Sequence, residues 1–547
     1  MHNQRYFKMK RIIILNILGA LLFTSCNKYL DVNKNQNSAT SATPQVLLPQ
    51  AITATAGVLN TFNNYGAIAG GFMANAGGYG GFGSVVTYSY SSGDNNGLWT
   101  GTYHNMEDYQ QIITQGDANP NFRFFNGAAR ILRAMDFQLL VDEYNDIPYL
   151  PVALQGNNNL TPPYTKAQDV YANLGVQLDS AILLINSGLN DQASNSNSNV
   201  INLGSSDPLF SGNMKLWIQL ANTLKLRLIV HANGLVNFSN TNFDPAGFLT
   251  TDALINPGFT RDNGKQNPQW NQWVYQYTGT VGGSAPVYIP TKWILSWYNG
   301  TKLDDPRGSI TFYNFPSTGA NQLGVQSSSV PSANSAGGNW FAHANSDAVT
   351  SASSAGNSIG VMKGPNAGFP LLLAAESYFL QAEAAVRGLP GGTGNAATLF
   401  NKGIQASFKY LYLLPDDKSY SADPDWNDPV GDMTGYLSGN ASSYLVNYSL
   451  ATTQAQQIEA IITQKYLALN MIASHEAWNE YRRTLYPTIV NGSSNAVLSF
   501  ASVQSLSTRA DKLPTRNMYP NSEYYYNPNN VPKNISPFTS LIFWAHQ

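Results

Sequence analysis

Apolar residues recur at spacings of three and four in five separate stretches of this chain, a pattern that commits its core to α-helices. Across residues 126–144 the stripe is Ala128, Ile131, Leu132, Met135 and Leu139. Thr165 and Gln168 fit a capping box that opens a second helix, with Tyr171, Leu174, Leu178, Ala181, Ile182 and Ile185 on one face and Gly188 as its stop. Residues 213–233 carry Met214, Trp217, Ile218, Ala221, Leu224 and Leu228. Residues 371–388 carry Leu372, Ala375, Phe379, Ala382 and Val386, ending at Gly388 with Pro390 just beyond. Residues 455–475 carry Ile458, Ile461, Ile462, Leu469 and Ile472 and are expected to form one more helix. Between these stretches lie long segments of weak pattern, rich in Gly, Tyr, Trp and Pro, at 60–100 and 235–345. Loops of that length commonly carry function, so the helices read as scaffold and the aromatic-rich loops as working surface.

The one cysteine of the chain, Cys26, directly follows an apolar run at 12–23 that is preceded by Lys8, Lys10 and Arg11. A basic start, an apolar middle and a small-residue cleavage site make a secretory signal. The run is well short of the roughly 20 residues that span a bilayer. A cysteine just after the cleavage site resembles the lipobox of bacterial lipoproteins, although Phe23 stands where Leu or Val is usual. The expectation is a signal peptide over 1–25, a lipidated Cys26, and a mature chain of 26–547 forming one helical binding domain. Translation begins at Met1 or at Met9. Two acyl chains on one residue anchor stably. No disulfide can form within the chain.

Charged residues are only 11% of the chain, against roughly 25% in typical soluble domains. Net charge is −2, which offers no electrostatic handle for nucleic acid. Asn, Ser, Gly and Thr replace the missing charge, together with 31 Tyr and 10 Trp. Such a surface suits uncharged, hydroxyl-bearing ligands or a large protein interface.

Several short motifs lack the context their chemistry needs. The glycines at 78, 80 and 83 satisfy G-x-G-x-x-G without a following helical stripe, and read as a loop presenting Tyr79 and Phe82. Residues 356–360 satisfy G-x-S-x-G, centred on Ser358, but no strand precedes them. His475 and Glu476 open like H-E-x-x-H, with Asn479 in place of the second ligand. Asp423, Asp425, Asn427, Asp428 and Asp432 cluster without the glycine and glutamate of a calcium loop. Glu376 and Glu383 could face one side of a helix as a glycosidase pair, but fall in a scaffold stretch and read as partners of arginines.

A series of blocks resembles the SusD/RagB family of outer-membrane lipoproteins of the Bacteroidetes. The first comprises Tyr29, Leu30, Asp31, Val32 and Asn33, with Pro44 and Pro49. The segment 130–144, ending Asp142, Glu143, Tyr144, runs into Asp146, Ile147, Pro148 and Tyr149. Asp207 and Pro208 with Trp217, Ala221, Asn222 and Arg227 form another block, and Asp305, Pro306 and Arg307 the next. Then come Glu376, Gln381, Glu383, Arg387 and Gly388. Gln464, Lys465, Tyr466 and Leu467 precede Glu476, Trp478, Asn479, Glu480, Tyr481, Arg482 and Arg483. Arg516, Tyr519, Pro520 and Glu523 close the series, in the family's order.

The resemblance implies a mostly α protein with a tetratricopeptide-like helical scaffold and no catalytic activity or cofactor. It also implies a SusC-like TonB-dependent transporter as partner, with oligosaccharide, or in some members peptide, as ligand. Glu476 and Glu480 with Arg482 and Arg483 are expected to form ion pairs on a helix, and Trp478 to be core.

Sugar recognition asks for flat aromatic faces beside amides and hydroxyls. Three clusters supply them: Tyr79, Phe82, Tyr88 and Tyr90; Trp270, Trp273, Tyr275 and Tyr277 with Asn267, Gln269, Asn271 and Gln272; and Trp340 with Phe341. In an extended loop Trp273, Tyr275 and Tyr277 would share a face. The expected protein is a lipid-anchored, cell-surface glycan-binding component of an importer, without a metal site. A peptide-binding member, a secreted hydrolase or esterase, and a purely structural lid on a transporter are the alternatives.

Overall fold

The computed structural model describes residues 42–150, 153–154, 159–332, 359–419 and 429–546. Ten helices of more than ten residues build its frame among the described residues. They are α1 (Pro44–Ala69), α2 (Asn96–Ala118), α3 (Arg123–Tyr144), α4 (Ala167–Ser194), α5 (Met214–Ala232), α6 (Ala374–Arg387), α7 (Ala396–Tyr412), α8 (Pro429–Gly439), α9 (Gln454–Ala468) and α10 (Ser474–Thr484). Neighbours in sequence are neighbours in space from α1 through α5. The chain then returns so that α6 packs on α5, α7 and α9, and α10 packs on α1. This is the stacking of helix pairs expected of a tetratricopeptide-like scaffold.

The apolar stripes explain the helices, and their caps explain most ends. Asn213 accepts from the backbone of Leu216 at the start of α5. Thr453 and Gln456 close a capping box at α9. Gly388, at φ 66°, provides the left-handed residue that ends α6. Three expectations are corrected. Thr165 and Gln168 form no capping box: Thr165 is paired in a short strand, Lys166 sits at the cap position of α4, and no side chain caps it. Gly188 does not stop α4, which continues to Ser194. A side chain there would run into the ring of Phe124 on α3, so Gly188 is present for close helix contact rather than for termination. Residues 455–475 also split, because the chain turns at Met471, φ 58°, between α9 and α10.

Among the described residues, three antiparallel pairs tie loops to this frame: Met73–Asn75 with Tyr288–Pro290, Ile147–Pro148 with Tyr164–Thr165, and Ala253–Ile255 with Phe369–Leu372. The first, with Met73 opposite Pro290, brings the segment after α1 beside the aromatic region around 270–290. The main apolar core extends from Leu47 to Trp544, with a small second cluster of Leu226, Val230, Leu380 and Ala384 between α5 and α6. The mostly helix-free C-terminal segment is pinned by side chains: Trp544 Nε1 donates to Asp142 at 2.9 Å, and the Tyr519 hydroxyl donates to the Tyr144 carbonyl at 2.7 Å.

α3 lies inside the stack, so its polar face is buried as well as its apolar stripe. Arg482 donates to Glu143 at 2.8 Å, and Asn105 donates to Asp136 at 3.0 Å. The polar residues of α6, α9 and α10 form a second buried set. Glu376 pairs with Arg227 at 3.2 Å, Glu383 with Arg483 at 2.7 Å and with Arg387 at 2.6 Å. Glu480 pairs with Arg483 along α10, as expected, whereas Arg482 reaches across to α3. Glu376 and Glu383 are therefore ion-pair partners, and Trp478 is fully buried. Among the described residues no helix is long and apolar enough to cross a membrane.

Candidate functional site

A cavity of about 280 Å³ opens where α1, the loop before α2 and the segment 272–288 meet. α1 supplies Thr61, Asn64, Tyr65 and Ile68, and the loop supplies Val85, Tyr90 and Asn95. Gln272, Trp273, Ser284 and Tyr288 form the opposite wall. The rings are fixed by each other: Tyr65 meets Tyr90 edge-on at 6.2 Å, and Trp273 lies 6.1 Å from Tyr288, itself 5.9 Å from Phe82. Trp273 Nε1 donates to Asn64 Oδ1 at 2.7 Å, which locks the indole and leaves the Asn64 amide hydrogens without a partner among the described residues. Asn95 donates to Asn517 at 2.7 Å, and Gln272 donates to Ser284.

Among the described residues, none that lines this cavity carries a formal charge at neutral pH. Burial pushes the phenols of Tyr65, Tyr90 and Tyr288 up, so they stay neutral hydrogen-bonding groups. The wall is thus aromatic and apolar, with amides and hydroxyls interspersed, as ligand pockets commonly are. It holds neither the carboxylate pair of a glycosidase nor a nucleophile with an adjacent base.

The sequence candidates scatter. Trp273 lines the cavity and Phe82 packs behind Tyr288. Tyr79 is 45% exposed on the glycine-rich loop, and Tyr277 is 40% exposed. Tyr88 is fully buried, its hydroxyl accepting from the Ser502 backbone at 3.2 Å. Trp270 and Tyr275 are buried in the core. Trp340, Phe341, Ser358 and Cys26, with residues 423–428 of the acidic cluster, lie outside the described residues.

The extended platform of Trp273, Tyr275 and Tyr277 is corrected, because Pro268–Trp273 is a short helix. Asn267 caps it by accepting from Gln269 and Trp270, and Tyr275 enters a bridge with Val281. The neighbouring amides are consumed in the same work. Gln266 donates to the Tyr275 carbonyl at 3.0 Å, and Gln269 donates to the carbonyl of Met471. The sequence reading missed Asn64, Tyr65, Asn95 and Tyr288. Asn63, Asn64 and Tyr65 stand together in α1 between Phe62 and Gly66, and that was the available signal.

A second group, Asp142, His231 and Glu476, brings three potential metal-ligand atoms together in the core. Its space is already filled by protein cations and donors. Lys465 donates to Glu476 at 3.0 Å, and Trp544 donates to Asp142. Burial would push the His231 imidazole down, but Glu476, at 3.0 Å, and Glu480 beside it hold it up at about 9. An imidazolium and an ammonium among carboxylates make an ion network, not a vacant metal site.

The family described as starch-binding and associating with the outer membrane matches residues 35–520. No curated protein sequence matches. Many solved structures share the fold. A SusD homologue from Bacteroides uniformis superposes with a TM-score of 0.61 at 21% identity, covering 92% of this chain and 99% of that one. A SusD/RagB family protein from Bacteroides thetaiotaomicron gives 0.63 at 17%, covering 93% and 100%. A chitin-binding SusD homologue from Flavobacterium johnsoniae gives 0.61 at 20%, covering 91% and 99%. With the helix-pair scaffold, the ordered blocks and the family match together, this chain belongs to the SusD-like family of outer-membrane-associated nutrient-binding proteins.

Proposed function

We propose that this protein captures a neutral oligosaccharide in the cavity beside Trp273 and hands it to a SusC-like TonB-dependent transporter, held at the cell surface by lipid on Cys26. The observation that carries the reading is the uncharged wall of Tyr65, Tyr90, Trp273 and Tyr288 with Asn64, Asn95 and Gln272. Aromatic faces take the C–H faces of sugar rings, and amides take hydroxyls. An anionic or cationic ligand would find no counter-charge there. The chitin-binding neighbour and the starch-binding family description agree with a glycan ligand. Catalysis forms no part of this reading.

Titration calorimetry of the purified protein against starch and chitin oligomers, with neutral peptides as the comparison, is expected to give saturable glycan binding without product formation. Binding of peptides alone would transfer the reading to peptide capture. Hydrolysis that saturates with substrate would make it an enzyme.

The anchor is tested separately. Cys26→Ala should move the protein from the membrane fraction to the soluble fraction without changing its circular dichroism. Mass spectrometry of the mature N-terminus that finds an unmodified cysteine, or cleavage elsewhere, would refute lipidation.

A further inference from the structure

A groove of about 320 Å³ runs between α1 and α2 and shares Thr61 and Gly97 with the aromatic cavity, so the two are continuous. Each alone is near the lower bound of ligand pockets, about 300–1,000 Å³, and together they fall inside that range. The groove floor lacks side chains where it passes Gly57 of α1 and Gly101 of α2. Both glycines sit inside helices, where glycine is less favourable than alanine. Neither is demanded by packing, since a Cβ at Gly57 or Gly101 would meet nothing within 4 Å. Close helix contact therefore does not explain them; open space above them does.

Polar groups converge on the same space. Asn105 lines it, is 3% exposed, and leaves its side-chain oxygen without a partner. Its amide nitrogen is committed inward, to Thr55 at 2.7 Å and Asp136 at 3.0 Å, and its oxygen is itself enclosed, so Asn105 forms the groove wall without offering an open acceptor. Asp108, one helical turn further along α2, is half-buried and accepts no hydrogen bond from a described residue. Burial raises its carboxyl above the usual range. His104 stands exposed on the same stretch.

A carboxylate above a floor without side chains suits a chain of hydroxyls lying flat. We propose that the groove between α1 and α2 is a second subsite for the glycan bound in the aromatic cavity, so that the protein reads an oligomer by length. The cavity stacks the leading rings, and Asp108 accepts hydroxyls of the following ones. This inference rests on the glycan reading of the cavity.

The test compares disaccharides and hexasaccharides of the starch and chitin types, by calorimetry, in wild type and in Gly57→Leu and Gly101→Leu. Wild type should prefer the hexasaccharide. Each leucine should weaken hexasaccharide binding about tenfold, leave disaccharide binding unchanged, and leave the melting temperature equal or higher, since a helix glycine is replaced by a better helix former. Asp108→Asn, which changes no volume, should weaken the hexasaccharide alone by about threefold. Equal wild-type affinity for both lengths, or loss of both lengths in the leucine variants, would overturn the groove and leave the glycan reading standing. A wild type that binds no oligosaccharide would overturn both.

Discussion

Lys465→Met is expected to lower the free energy of unfolding by about 3–5 kcal/mol, because it strands buried carboxylates. The Lys465 ammonium, fully enclosed, lies 3.0 Å from Glu476, 2.8 Å from Glu480 and 4.0 Å from Glu376. Burial works against the charged forms, yet Lys465 and His231 hold the Glu476 carboxyl well below its usual range. Methionine keeps much of the length of lysine and removes only the charge and the donors, so the loss reads the electrostatics rather than a cavity. Arg130→Met is the comparison. Its partner Asp117 is 54% exposed, and the pair, like other solvent-facing ion pairs, should be worth about 1 kcal/mol or less. Urea unfolding followed by circular dichroism at neutral pH measures both. If the two variants lost the same amount, the core network would not depend on Lys465.

Trp273 should give the largest effect on binding. Trp273→Ala removes a buried ring and is expected to cost about 3–5 kcal/mol of stability as well as the cavity wall. Trp273→Phe separates the two roles. It retains an aromatic face but loses the indole donor that holds Asn64, so the wall loosens while the core stays filled. The phenylalanine variant should fold with a small loss of stability and bind glycan about tenfold more weakly, about 1.4 kcal/mol. Unchanged affinity in that variant would make Trp273 a core residue with no part in recognition.

The stripes at Ala128 to Leu139, at Tyr171 to Ile185, at Met214 to Leu228 and at Ala375 to Val386 each became a helix, because a period of 3.6 is a local property. Gly388 and Pro390 ended α6 for the same reason. Gly188 misled, since a glycine that ends a helix and one that admits a neighbouring ring look identical in sequence. The binding residues were less legible still. Tyr88, Trp270, Trp273 and Tyr275 share the composition expected of a sugar platform, yet three of the four are buried away from the aromatic cavity. Their neighbouring amides Gln266, Asn267 and Gln269 bond to backbone instead of facing outward.

By itself the sequence determined the helical scaffold, the family's ordered blocks and the low charge and high aromatic content of the chain, because periodicity and composition are carried by the residues alone. Only the tertiary structure decided which aromatics face a cavity. Asn64 and Tyr65 from α1, Asn95 and Tyr288 come from distant parts of the chain. The pairing of Met73 with Pro290 is what brings them together. It also decided that the acids and bases of α3, α6, α9 and α10 are buried partners. A charged residue on a helix reads as surface until another helix covers it, and then it must find its counter-charge inside.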